Sequence, residues 1–194
     1  LEKFQPGVRV LTRRNPNYWD SGRGFVDSVE TVAYNDSAAR VAALMSGSVH
    51  LINRVEPRLA KRLESVSAIR LYRARDTNNI LFPMLADQSP FSNNDVRTAL
   101  KYAIDREQLR TSLLGGYGSV ANDNPLFPSN RFYTTDVPKH TYDPDKAKFY
   151  WNKSGVTQPV VLSAADGATF AGAVSAAELY QSSASKAQIP FKVN

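Results

Sequence analysis

Along the chain, apolar positions recur first with a period of two and then with a period near three and a half, and the change marks out the elements. Residues 8–12 alternate, with Val8 and Val10 on one side and Arg9 and Leu11 on the other, and residues 28–34 repeat the pattern with Val29 against Glu30 and Val32 against Ala33. Both read as strands. From residue 37 to 45 the apolar positions Ala38, Val41, Ala42 and Met45 fall three and four apart, Asp36 stands where an N-cap belongs, and Gly47 follows the last turn. That spacing predicts a helix. A short strand over residues 49–52, a helix from Pro57 through Leu63 and another strand over residues 69–74 complete a β, β, α, β, α, β order. Residues 80–85 form an apolar run of strand length, but Pro83 removes a ladder donor, which suits an edge strand or a crossover.

Beyond Pro90 the helical period takes over. Val96, Ala99, Leu100, Ala103 and Ile104 make one face, and Asp105 followed by Gln108 three places on is a capping-box arrangement that restarts a helix as far as Leu114. Gly115 and Gly116 end it. Residues 117–142 are rich in Asn, Pro, Tyr and Asp and are too long for an ordinary connector, which favours a functional or covering loop. Asp143 and Pro144 supply the N-cap and first position of the next helix, which Gly155 terminates. A strand over 160–162, a long helix over about 168–187 burying Phe170, Ala173, Val174, Ala177 and Tyr180, and a strand over 191–193 finish the pattern. The order is that of an α/β protein without internal repeats.

Charge and composition narrow the function without naming it. The 194 residues carry 24 Lys plus Arg against 18 Asp plus Glu, a net charge of +6, yet no run of five like charges exists. Neither a nucleic-acid arm nor a membrane-binding tail is indicated. The absence of cysteine excludes disulfides, thiolate chemistry and Cys-type zinc sites. No apolar run approaches the roughly 18 residues of a membrane span. An initial Leu1 and a final FKVN that opens a strand are what a piece of a longer protein would show.

Candidate chemistry is sparse. GGYG at 115–118 is glycine-rich but lacks the GK[ST] of a phosphate cradle and follows a helix instead of preceding one. His50 and His140 are the two imidazoles, and neither sits in a nucleophile elbow or an HExxH zinc motif. The carboxylate pairs Asp143 with Asp145 and Asp105 with Glu107 are explained by helix N-termini, where anionic side chains are favoured. RRNPNYWD at 13–20 has two readings: Arg13 and Arg14 on phosphates with Tyr18 and Trp19 as stacking platforms, or a strand end and an Asn-Pro-Asn turn with the aromatics covering a core edge. No second basic-aromatic cluster follows, which favours the structural reading.

Five segments in order resemble the extracellular solute-binding proteins of family 5, the peptide, dipeptide and nickel class that feeds ABC importers: RRNPNYWD, NDSAARVAALMSGSVHLI, SPFSNNDVRTALKYAIDREQL, LLGGYG and YDPDKAKFYWNKSG. The resemblance implies a fragment of a two-lobed periplasmic-binding-protein-like fold (type II, cluster C), with mixed sheets flanked by helices. Residues 1–77 would belong to the first lobe and residues 78–194 to the second, truncated at its C-terminus, with the strand through Ile80 and Phe82 crossing the hinge. It also makes the opening octet a scaffold turn away from the ligand. Where family members usually carry an aspartate, an asparagine and paired leucines, this chain has His50, a position near Pro83, and Tyr150 with Trp151.

By the same resemblance the protein is a receptor without catalytic residues, cofactor or metal, and it is not an enzyme. It would capture a small solute, a peptide by default, with nickel chelates, opines and sugars as the other options, and hand it to a membrane permease. It would be periplasmic, or extracellular and lipid-anchored. Ligand contacts are expected from the hinge exit (Leu81, Phe82, Met84), the turn after a helix (Leu114, Gly116, Tyr117) and the loop opening the last helix (Asp166, Thr169, Phe170), with simple core packing the alternative for the apolar ones. A basic nucleic-acid-binding module and a hydrolase of unassigned type are the competing classes.

Overall fold

The computed structural model describes residues 1–73, 79–121, 123–166, 170 and 172–194, and its contacts divide the chain into two compact units, residues 1–55 and 56–194. The first unit opens with three antiparallel strands in sequence order, β1 (Lys3–Gln5), β2 (Arg9–Arg13) and β3 (Ser28–Val32). Val10 pairs with Phe4 on one side and Thr31 on the other. Glu2 to Arg13 (2.7 Å) and Arg9 to Glu30 (2.9 Å) add ion pairs across the strands. Helix α1 (Ser37–Met45) follows, capped as the sequence predicts by the Asp36 carboxylate, which accepts the Ala39 N–H at 2.7 Å.

Several expectations change here. β1 escapes the periodicity because three residues are too few to show one. The predicted face of α1 is rotated: Ala43 is buried while Met45 is 52% exposed. Residues 49–52 form no strand. The Val49 N–H is spent on the Ala43 carbonyl beyond the helix end, and Leu51 stands in solvent. Nor are residues 69–73 a strand: Ile69 turns back to the Val66 carbonyl and Tyr72 is exposed. Ala74 lies outside the described residues, as does the predicted lobe boundary between residues 77 and 78. The run at 80–85 is assigned to no strand and has no ladder partner among the described residues. In the octet, Asn15 makes the turn by accepting the Asn17 N–H (3.0 Å), but Trp19 is 85% exposed and covers no core.

The second unit begins with α2 (Pro57–Glu64), then α3 (Asn94–Ala103), α4 (Arg106–Leu114) and α5 (Pro144–Ser154). Each of the last three has a side-chain N-cap, with Asn93, Asp105 and Asp143 accepting from Asp95, Gln108 and Lys146. Strand β4 (Val160–Leu162), helix α6 (Ala173–Lys186) and strand β5 (Phe191–Val193) then form a β-α-β crossover whose two strands pair in parallel, Val161 opposite Lys192.

α3, α5 and α6 enclose one apolar core. Val96, Ala99, Leu100 and Ala103 face Ala147 and Trp151 on α5 and Tyr180, Ala184 and Ala187 at α6, with Val160 and Ile189 closing it from the sheet. The alanines let the helices approach closely, while Trp151 and Tyr180 fill the volume. The Tyr180 hydroxyl donates to the Leu100 carbonyl at 2.8 Å, so this polar tip in the core is satisfied. α6 buries Ala176, Ala177, Tyr180, Ser183 and Ala184, whereas Phe170 and Val174 are 40% and 46% exposed, contrary to the predicted face. The helix starts at Ala173, behind Gly172 in the left-handed region (φ 90°), and Ala168 lies outside the described residues.

Candidate functional site

The turn after α4 is where sequence and geometry converge. Gly115 takes φ 58° and Gly116 φ 86°, values that favour glycine, and their N–H groups return to the Arg110 carbonyl. Gly115 is therefore the left-handed cap, and Gly116 carries the closing bond at 3.1 Å. Arg110 ties the turn down from the side, donating to the Gly116 carbonyl at 2.5 Å while its Nε pairs with Glu107 at 2.8 Å.

This anchoring presents Tyr117. Its N–H donates to the Leu114 carbonyl at 2.9 Å, and the Arg73 guanidinium lies 4.8 Å from its ring centroid. Arg73 also donates to the Tyr117 hydroxyl at 3.4 Å and is paired with Glu64 at the end of α2. A cation over an aromatic face, itself tethered by a carboxylate, fixes the ring's orientation.

The other predicted positions are dispersed. Leu81 is 67% exposed, whereas Phe82 meets Tyr180 edge-on at 5.2 Å and Met84 packs against the core. Asp166 is exposed and its carbonyl accepts the Phe170 N–H at 3.0 Å. Thr169 lies outside the described residues.

A second polar cluster ties residues 117–142 to the α3–α4 corner, and no local motif marks it, because Asp123 lies 17 positions from both Arg106 and His140. Asp123 accepts from Arg106 at 2.6 Å and meets the His140 Nδ1 at 3.0 Å, while Arg106 also donates to the carbonyls of Lys101 and His140. The Tyr102 ring stands edge-on to His140, with centroids 5.0 Å apart. These bonds pin both ends of the long loop to the corner between α3 and α4. Asp123 has φ 67°, uncommon for a non-glycine residue, and the two partners on its carboxylate hold it there.

Titration is perturbed at the core and its edge. Burial pushes the Tyr180 hydroxyl well above the usual tyrosine range, and burial followed by the Asp105 carboxylate raises Tyr142. The Lys146 backbone N–H, more than any other group, holds the Asp143 carboxyl below its ordinary value. Among the described residues no group of three His, Asp or Glu side chains gathers as a metal site would, and no helix is long and apolar enough to cross a membrane.

The family model of the bacterial extracellular solute-binding proteins, family 5, middle part, matches residues 1–194. The chain belongs to this family. Heme-binding protein A of Haemophilus influenzae is 31% identical over 134 residues, which is 68% of this chain and 24% of that protein. The dipeptide-binding protein of Escherichia coli is 24% identical over 159 residues, 80% of this chain and 29% of that protein. This chain thus spans less than a third of the length of either relative.

Among solved structures, the dipeptide-binding protein from Pseudoalteromonas sp. SM9913 in complex with Met-Leu superposes with a TM-score of 0.77 at 19% identity, covering 98% of this chain and 38% of that one. The periplasmic binding protein DppA from Helicobacter pylori, in complex with the peptide STSA, gives 0.75 at 20% identity, covering 99% and 37%. Family 5 members are extracellular or periplasmic solute-binding proteins of transport systems, and this chain has the fold of part of their two-lobed, α/β architecture.

Proposed function

We propose that this chain is part of the substrate-binding component of an ABC importer, which encloses a small solute, a peptide in the first place, between two lobes and delivers it to a membrane permease. The observation that carries this reading is the match of the family model over residues 1–194. The superposition on two peptide-bound members supports peptide as the solute class. Closure works through differential affinity: cargo touching both lobes stabilises the closed state by as much as it binds that state better, and the permease reads the closed form. Residues 1–77 contribute to the first lobe and residues 78–194 to the second. The protein works without catalysis, outside the cytoplasm, either free in the periplasm or lipid-anchored.

Within this chain the ligand contacts are Leu81 at the hinge exit, the Leu114, Gly116 and Tyr117 turn, and Asp166, Thr169 and Phe170 before α6. Phe82 and Met84 couple the hinge exit to the core. Native mass spectrometry of the product of the intact open reading frame, with thermal shifts against di- to pentapeptides, glutathione, nickel–histidine and sugars, tests the reading. A bound peptide mass and a peptide-specific rise in melting temperature are expected. A protein unmoved by any of these solutes, with no co-purified mass, contradicts it.

A further inference from the structure

Half of the chain's net charge is gathered in one short stretch. Residues 56–73 hold five cations, Arg58, Lys61, Arg62, Arg70 and Arg73, against Glu56 and Glu64, a net +3 of the chain's +6. No run of like charges marks them, because Leu59, Ala60 and Leu63 interrupt the order. On α2 the interruptions turn inward, with Ala60 and Leu63 buried, so Arg58, Lys61 and Arg62 fall together on the opposite face, over about 100° of the helix circumference. All five cations are exposed. Contacts inside the chain do not account for this face. Arg73 takes Glu64, the only carboxylate on α2, while Arg58, Lys61, Arg62 and Arg70 make no ion pair among the described residues. Arg58 lies four positions from Arg62 and three from Lys61, spacings at which like charges destabilise a helix. The helix dipole favours Lys61 and Arg62 in the last turn but opposes Arg58 in the first.

We propose that this face of α2, with Arg70 and Tyr72 in the segment that follows, is a docking surface for anionic phospholipid headgroups. Guanidinium groups bind phosphate through paired, planar N–H donors, and four of the five cations are arginines. Tyr72 is 78% exposed, with the Arg70 guanidinium 5.4 Å from its ring centroid. An exposed tyrosine beside cations favours lipid over an acidic protein segment, since a ring with a polar tip settles at headgroup depth. Members of the family are extracellular or periplasmic proteins of transport systems, so the polyanion within reach is a membrane and not a nucleic acid. The apolar side of α2 is spent inside the protein, where the helix packs against α4, which leaves attraction by charge without insertion of the helix. The inference rests on the proposed role beside a membrane permease and adds what holds the receptor at that membrane.

The test sediments the product of the intact open reading frame with vesicles of phosphatidylcholine alone and of equal parts phosphatidylcholine and phosphatidylglycerol, at low and high salt. Binding to phosphatidylcholine sets the level of any attachment that does not depend on lipid charge. Wild type is expected to gain binding on the anionic vesicles and to lose that gain in high salt. Each cation near an anionic surface is worth about fivefold in binding, so Arg58→Gln with Arg62→Gln should weaken it by about 30-fold. Arg58→Lys with Arg62→Lys keeps the charge and should stay within about threefold of wild type. Lys139→Gln with Lys192→Gln removes the same charge from exposed positions elsewhere and should also stay within about threefold. Equal binding to the two vesicle types, or an equal loss in the two glutamine pairs, overturns the proposal. So does a charge-dependent gain on poly-L-glutamate without one on vesicles, which would assign the face to an acidic protein partner. Thermal shifts with the solute panel above keep the cargo reading separate. A cargo response without a lipid response leaves that reading intact and removes this one, and a lipid response without a cargo response does the reverse.

Discussion

Residues 1–55 and residues 56–194 both form hydrogen-bonded strands and capped helices but bury very different amounts of side chain. In the first unit Ala43 is the single buried residue among those described, all five residues of β3 are exposed, and Phe4, Trp19 and Phe25 stand in solvent at 61%, 85% and 81%. In the second, three helices and a parallel strand pair close on a core that holds Trp151 and Tyr180 at about one-twentieth exposure. The difference separates two sources of order. Ladders, turns and caps hold the first unit's backbone within this chain, whereas a sheet with β3 exposed throughout gains little there from the hydrophobic effect. The second unit couples α3, α5, α6 and the β4–β5 pair through shared apolar contacts.

The contrast can be broken by substitution in the 194-residue chain, read by urea unfolding. Trp151→Ala should cost about 3–5 kcal/mol, the toll of emptying a packed aromatic site. A loss under 1 kcal/mol would mean that the helical core is not closed. Tyr180→Phe comes next: it strands the buried Leu100 carbonyl, for roughly 1–3 kcal/mol. It also changes the alkaline limb. The folded state keeps the Tyr180 proton while the unfolded state gives it up near the ordinary value of 10.0, so wild-type stability should fall as pH rises past that value. The phenylalanine variant should lose part of that slope, and an unchanged slope would show that Tyr180 is not buried.

Asp105→Ala and Asp143→Ala remove N-caps; the first should cost about 1 kcal/mol, and the second should lower the urea midpoint at neutral pH. For Asp143 the sign with pH runs the other way: its carboxyl is held low in the fold, so its contribution is whole above pH 3.8 and disappears on acidification through the folded-state value. Urea midpoints of Asp143→Ala and wild type should converge in acid. Smallest is Trp19→Ala, expected within about 0.5 kcal/mol because the ring touches little beyond Tyr18. A cost of 2 kcal/mol or more would show that the first unit hides a core.

What could be read from residue order follows the same division. Asp36, Asp105 and Asp143 were legible as caps because a cap is decided within four residues, and Gly115 with Gly116 marked the α4 turn for the same reason. Residues 49–52 and 69–73 read as strands yet join no ladder among the described residues, since a strand needs a neighbour that local pattern cannot supply. Of the predicted α6 face Ala177 and Tyr180 are buried but Phe170 and Val174 are not, because the rest of the buried side is Ala and Ser, whose small side chains allow close approach. At the candidate site Tyr117 was visible as a turn residue, but the guanidinium on its ring comes from Arg73, 44 positions earlier in the chain.

Hydrogen exchange on the product of the intact open reading frame, with and without peptide, bears most directly on the idea of a rigid helical frame carrying a ligand-responsive turn. The account predicts slow amides throughout α3, α5 and α6 in both states, and new protection on peptide addition at residues 114–118 and 81–84. Uniformly fast exchange in those helices, or peptide protection that bypasses both segments, would contradict it.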